Sequence, residues 1–257
     1  MVKHSTDIVI LAGGYGTRLA EYTDTIPKPM VKIGNHPILM HIINIYSKYG
    51  YNSFLVALGY KAQIVIDYFN SNKNFKKINN SEIIEYNGKL GKNNIQLKLV
   101  ETGIDTMTGG RVKRIGKYIN SERFMVTYGD GLADINIAEL ESFHQKHGSI
   151  GSITAVRPPA RFGSLKIEGE KVMEFREKSI LDESWINGGF FIFDKSFLNY
   201  IDNDETFLER EPLENLSKEG QLHAYKHQGF WQCMDTKRDR DSLQELFNKK
   251  EVDVFIK

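Results

Sequence analysis

The 257 residues carry 34 basic and 33 acidic side chains, a net charge of +1, with 40% apolar and 26% charged residues. Such a length buries a real core without metals or disulfides, and the balanced charge supplies no field to draw in nucleic acid or an anionic membrane surface. The one cysteine, Cys233, excludes an internal disulfide and any Cys-rich zinc or iron–sulfur site, which fits a reducing compartment.

Ile8 to Leu11 is a β-branched run that predicts a buried strand opening into the turn Ala12-Gly13-Gly14. The run is too short for a signal-peptide core, and no stretch approaches the roughly 20 apolar residues of a spanning helix, so a cytoplasmic location is expected. Apolar residues at Ile38, Met40, Ile42, Ile43, Ile45 and Tyr46 predict a largely covered helix between Pro37 and Tyr49. Phe54 to Leu58 reads as a second buried strand and Lys61 to Phe69 as a helix. Ser71 to Asn94, rich in Asn and Lys and the least periodic stretch, reads as a mobile excursion from the sheet. A strand over Ile95 to Val100, a helix over Arg111 to Ile119, a strand over Phe124 to Tyr128, a helix over 136–147 and a strand over Ser152 to Val156 follow. This alternation is the rhythm of a Rossmann-like α/β fold, a mostly parallel mixed sheet with helices on both faces.

After Val156 the pattern changes. Ser164 to Ile167 and Lys171 to Phe175 predict a hairpin around Glu168-Gly169-Glu170, a β-rich insertion. A strand over Phe190 to Phe193, helical segments near 195–201 and 206–219, a strand near 222–226 and a helix from about 236 to 248 complete the chain, the second half decorating the first. No Pro- or Ser-rich linker divides the two, so 1–257 is expected to form a single domain.

Leu11-Ala12-Gly13-Gly14-Tyr15-Gly16-Thr17-Arg18 places three glycines just after a strand, where backbone N–H groups can approach a phosphate while Thr17 and Arg18 add a hydroxyl and a planar cation. It is neither a dinucleotide fingerprint, since Leu19 stands where the third glycine belongs, nor a P-loop, since no Gly-Lys-Ser/Thr follows; a plain tight turn is the alternative. Pro27-Lys28-Pro29 brackets a lysine and predicts it extended and unable to join a helix, suited to a point-charge contact with phosphate or to an ordinary solvated loop. Asp130 stands at the C-terminal end of a strand, where open α/β sheets bind ligands, and Asp235 just before a helix; two such carboxylates with substrate phosphates are what Mg²⁺ takes. A turn role for Asp130 and a helix cap for Asp235 are the competing readings. His144 and His147 share a helix face without a third ligand, which reads as a solvated face.

Together these pieces resemble the sugar nucleotidyltransferases, over nearly the whole chain. The glycine loop specifies that superfamily, whereas Met107-Thr108-Gly109-Gly110-Arg111 and Phe230-Trp231-Gln232 with Met234-Asp235-Thr236 are similar to its cytidylyl branch. Lys28-Pro29-Met30, Tyr128-Gly129-Asp130-Gly131, Arg161-Phe162-Gly163, Glu177-Lys178 and Asn187-Gly188-Gly189 match in order and spacing. Ile26, Thr106 and Cys233 depart from the pattern, standing where a lysine, a serine and a proline are usual.

The resemblance implies CTP and α-D-glucose 1-phosphate as substrates, Mg²⁺ as cofactor, and a homo-oligomer with no nucleic-acid or membrane partner. It implies a nucleotide-binding half over about 1–156 and a sugar-phosphate half over about 157–257. It places Leu11, Ala12, Gly13, Gly14, Tyr15, Gly16, Thr17, Arg18, Lys28, Thr106, Arg111 and Gly129 at the nucleotide. Gly163, Glu177, Lys178, Asn187 and Gly188 fall to the sugar phosphate, Asp130 and Asp235 to the metal, and Arg18, Lys28 and the two aspartates to catalysis.

Overall fold

The computed structural model describes residues 6–78, 83–158, 164–176 and 184–256. The chain begins with β1 (Asp7–Leu11), α1 (Ala20–Thr23), the short pair β2 (Lys32–Ile33) and β3 (His36–Pro37), then α2 (Ile38–Ser47), β4 (Ser53–Leu58) and α3 (Ala62–Ser71). It continues through β5 (Phe75–Ile78), β6 (Ile84–Leu90), β7 (Asn93–Glu101), α4 (Thr108–Ile115), β8 (Arg123–Tyr128), β9 (Gly131–Ala133), α5 (Ile137–His147) and β10 (Gly151–Val156). The last elements are β11 (Ser164–Glu168), β12 (Lys171–Arg176), β13 (Ile186–Asp194), α6 (Glu211–Lys218), β14 (Leu222–Lys226), β15 (Trp231–Cys233) and α7 (Lys237–Lys249).

Nine strands form one sheet in the order β14-β10-β13-β8-β1-β4-β7-β6-β5. Its centre, β8-β1-β4-β7, is parallel, and antiparallel strands widen it on both sides. Alternation along the central strands sends side chains to two layers. Ile8, Ile10, Phe54 and Val56 face one core, covered by Val65 and Phe69 of α3, Leu140 of α5 and Leu243 of α7. Val9, Leu11, Leu55 and Ala57 face the other, under Val112 and Ile115 of α4 and Leu213 and Leu216 of α6. Each fully buried side chain of this size contributes about 1.5–3 kcal/mol, which is why two-sided apolar strands lie at the centre.

Three expectations are corrected. The 71–94 stretch is no excursion: β5 and β6 extend the sheet, anchored by Phe75 and Tyr86, which are buried against Phe69. Only Phe75 and Tyr86 of β5 and β6 are buried, and they stand among Lys and Asn without a regular alternation, so the inward set left no clear period. The second half does not merely decorate the first, since β10, β13 and β14 belong to the main sheet, while the β11/β12 hairpin and the β9/β15 pair stand apart from it. The helix expected over Arg111 to Ile119, with Thr108-Gly109-Gly110 as its entry, does begin at Thr108 but ends short, at Ile115, in a 3-10 turn over Gly116–Tyr118. Gly109 and Gly110 permit that start, because a Cβ on either would lie 2.7 Å from the Thr206 carbonyl oxygen or 2.6 Å from Asp204.

His144 is likewise not on a solvated face. It is 1% exposed, with Nδ1 2.9 Å from the Ser152 hydroxyl, which His147 Nε2 also meets at 2.7 Å. The Ser149 N–H donates to His147 Nδ1, so in the neutral ring His147 Nε2 carries the proton and donates to Ser152, whose hydroxyl then donates to His144. Among the described residues no helix is long and apolar enough to cross a membrane.

Candidate active site

The parallel pairing of β1 with β8 brings Leu11 beside Tyr128, so the loop after β1 and the Gly129-Asp130 step emerge together at the strands' C-terminal ends. The Gly129 N–H donates to the Leu11 carbonyl at 2.9 Å, an approach a Cβ would block at 2.6 Å from that oxygen. Gly16 turns the loop in a left-handed conformation, φ 66°. The amides of Gly13, Gly14 and Gly16 donate to no acceptor among the described residues, and all three glycines line one cavity.

The glycines serve different ends. A Cβ on Gly13 would lie 2.2 Å from Arg111 Nη1, whereas one on Gly14 would meet no protein atom within 4 Å. Gly13 is required by the protein's own packing; Gly14 leaves open space where a ligand can press against the backbone.

Lys28 lies at the back of this loop. Lys28, expected to be extended and unable to join a helix, instead starts the 3-10 segment Lys28–Met30, and it is Pro27 before it that is extended. Pro29 is tolerated because its missing N–H would be unpaired in a first turn anyway. Lys28 is 8% exposed, and its ammonium donates to Asp130 Oδ2 and to Asp235 Oδ1, both at 2.6 Å. Burial acts to lower its pKa, and the two carboxylates more than offset that, so it sits above the ordinary lysine value. Asp235 is held below the usual carboxylate range: burial opposes this, but hydrogen bonding and charge from Lys28, with the Arg18 charge, prevail. Arg18 Nη1 stands 2.9 Å from Asp235 Oδ2.

Asp235 reaches this position through the short antiparallel pair β9/β15, which sets Cys233 opposite Gly131, and through the Met234 N–H, which donates to the Asp130 carbonyl at 2.9 Å. It does not cap α7. Thr236 does, accepting from the Asp239 N–H, while Asp239 accepts from the Thr236 N–H in a reciprocal box. That leaves the Asp235 carboxylate for the cluster. Asp130 and Asp235 thus converge on one cationic point with hard oxygen donors, a donor pair that fits Mg²⁺. Among the described residues no group of three or more His, Cys, Asp or Glu side chains could hold a metal, so water and phosphate oxygens would complete its shell.

A cavity of about 540 Å³ opens in front of the loop. Every residue expected at the nucleotide lines it, from Leu11 through Arg18 and including Lys28, Thr106, Arg111 and Gly129, and Asp130 lines it too. Asp235 is not a lining residue but bonds Lys28, which is. Arg111 is 4% exposed and its guanidinium is occupied: it donates to the carbonyls of Leu58, Gly103, Gly13 and Ile104 and to the Thr102 hydroxyl at 2.7–3.1 Å. Sequence reasoning assigned no site role to Tyr128 or Glu209, both of which line the cavity. Tyr128 carried a signal beside Asp130, whereas nothing local marks Glu209.

Of the expected sugar-phosphate residues, Gly163, Glu177 and Lys178 lie outside the described residues. Asn187 and Gly188 begin β13, which pairs with β8. The Asn187 amide donates to the Tyr128 hydroxyl at 2.9 Å, and the Gly188 carbonyl accepts from Trp231 Nε1 at 2.8 Å.

A helix-flanked α/β sheet that presents a glycine loop and a lysine–carboxylate cluster at its strand ends defines a nucleotide-handling enzyme class. The chain belongs to the nucleotidyl transferase family, whose model matches residues 7–236. It is 44% identical over 248 residues to the glucose-1-phosphate cytidylyltransferase of Salmonella typhi, covering 94% of this chain and 95% of that protein. It is 40% identical over 246 residues to a probable glucose-1-phosphate cytidylyltransferase of Bacillus subtilis, covering 94% and 96%. Among solved structures, HddC from Yersinia pseudotuberculosis superposes with a TM-score of 0.70 at 25% identity, covering 94% of this chain and 99% of that one.

Proposed function

We propose that the protein joins CTP to α-D-glucose 1-phosphate, giving CDP-glucose and pyrophosphate. The observation that carries this reading is the glycine loop with unpaired amides opening onto a cavity that ends at Lys28 between Asp130 and Asp235. The names of the 44% and 40% identical relatives support the choice of base and sugar. A location in the cytoplasm, a homo-oligomeric state and a place in making dideoxysugars of bacterial surface polysaccharide complete the proposal.

A sugar phosphate, with a second pKa near 6, is already an oxyanion at neutral pH, so no general base is needed. Its oxygen attacks the α-phosphorus, a P–O bond forms, and the bond to the β-phosphate breaks as pyrophosphate leaves. Positioning and neutralisation of charge must then supply the catalysis. The amides of Gly13, Gly14 and Gly16 with the Thr17 hydroxyl cradle the triphosphate, and Arg18 steadies the departing pyrophosphate. Lys28 neutralises charge at the α-phosphate. Asp130 and Asp235 would hold Mg²⁺, which when bound would neutralise phosphate oxygens. Thr106 contacts the nucleotide, and Arg111 acts through the loop by holding the Gly13 carbonyl. Asn187 and Gly188 bind the sugar phosphate, a role the resemblance extends to Gly163, Glu177 and Lys178.

Pyrophosphate release with glucose 1-phosphate and Mg²⁺, run in parallel with CTP, dTTP, UTP, ATP and GTP, tests the reading. Release with CTP alone is expected. Release with another nucleotide only would overturn the base assignment, and silence with all five would overturn the reaction.

A further inference from the structure

One hydrogen-bonded chain links the cavity-lining residues Thr108, Glu209 and Tyr128 to Asn187. Glu209 accepts from the Tyr128 hydroxyl at 2.6 Å through Oε1 and from the Thr108 hydroxyl at 2.7 Å through Oε2. Burial and the Glu209 charge push the Tyr128 pKa up, so the phenol keeps its proton and donates it to the carboxylate. Its oxygen is then the acceptor for the Asn187 amide at 2.9 Å. Asn187 is pinned from its other end, since Oδ1 accepts the Gly189 N–H at 2.8 Å. Gly189, at φ 77°, is the residue that lets the Tyr128 ring lie there, because a Cβ would stand 2.4 Å from Cδ2. On the far side Thr108 also accepts the Leu208 N–H at 2.9 Å and opens α4, the helix that carries Arg111 to the Gly13 carbonyl. Every member thus has a single direction of donation, and the chain runs from β13 to the helix behind the glycine loop.

We propose that Tyr128 and Glu209 are positioning residues that fix Asn187 for the sugar phosphate and hold that subsite in register with the nucleotide loop. Glu209 is exposed and contributes little core burial, so its placement is accounted for by the two hydroxyls it orients. The inference rests on the function proposed above for the substrates, but the geometry it asserts is independent of them.

The test pairs kinetics with NMR on Y128F, E209Q and the double variant. In Y128F the KM for glucose 1-phosphate should rise about tenfold, through loss of the part-buried hydrogen bond that holds Asn187, while the KM for CTP moves less than about twofold. E209Q should shift the same constant in the same direction, and the double variant should be no worse than Y128F, because both act through one chain. The side-chain amide signals of Asn187 should move in E209Q although Glu209 does not touch Asn187. Equal rises in both KM values, additive losses, or an unmoved Asn187 signal in E209Q would overturn the proposal. If the wild type turns over neither substrate, the function reading fails, and the Asn187 signal still decides the positional claim.

Discussion

Lys28 and Asp235 are 207 residues apart in sequence, yet the ammonium donates to the carboxylate at 2.6 Å. The same nitrogen holds Asp130 at 2.6 Å, so one buried cation joins the loop after β1 to the ends of β8 and β15. Lys28→Met should lower kcat by about 100-fold or more, as expected when a preorganised charge at a developing phosphate charge is lost. It would also leave two carboxylates facing each other, so the melting temperature should fall and partly recover on adding a divalent cation. Calorimetry with and without Mg²⁺ reads the second effect.

Asp130→Asn and Asp235→Asn should each reduce kcat by orders of magnitude in a folded protein and weaken divalent-metal binding. Titration with Mn²⁺ measures the binding directly. Near wild-type turnover in Asp130→Asn would remove the metal assignment.

The two neighbouring glycines should part company. Gly13→Ala puts a methyl 2.2 Å from Arg111 Nη1 and should cost about 2 kcal/mol of stability through overpacking. Gly14→Ala meets no protein atom and should leave stability within about 0.5 kcal/mol, while the nucleotide KM rises because the methyl occupies phosphate space. Urea unfolding alongside steady-state kinetics separates them. Unchanged nucleotide KM in Gly14→Ala would refute the cradle.

Arg111→Lys distinguishes a loop clamp from a direct ligand. A lysine cannot span four carbonyls and a hydroxyl with one ammonium, so a loss of about 3 kcal/mol is expected together with a raised nucleotide KM. A raised KM with unchanged stability would make Arg111 a direct nucleotide contact instead.

Acid should loosen the far edge of the sheet before it disturbs the site. Burial, with the His223 and His144 rings beside it, lowers the His147 pKa from 6.5 to about 4, and burial likewise lowers that of His144 although Asp194 opposes it and Arg123 assists. Both rings are neutral in the fold, so unfolding takes up protons once the pH drops below about 6.5. Their stabilising contribution is present above that value and is lost as the pH falls toward 4. His147 faces Ser152 on β10, the stacked His223 on β14 and His144, which itself meets Asp194 on β13. His147→Gln should therefore flatten the decline of the urea midpoint between pH 6.5 and 4.5, and an unaltered slope would contradict this role.

Much of the molecule was legible in its sequence because local signals suffice where periodicity and glycine chemistry dominate. Two-sided apolar runs at Ile8–Leu11 and Phe54–Leu58 can only be central strands, and three glycines after the first of them mark the cleft. The resemblance implies that Lys28, Asp130 and Asp235 share one chemistry, but their contact depends on the β1/β8 pairing and on the three-residue β9/β15 bridge, which leave no pattern in the chain. The roles of Arg111, Glu209 and the β5/β6 edge were decided by tertiary structure for one physical reason. What a polar side chain does is set by which acceptors long-range packing brings within about 3 Å, and that distance is a property of the fold rather than of the neighbouring residues.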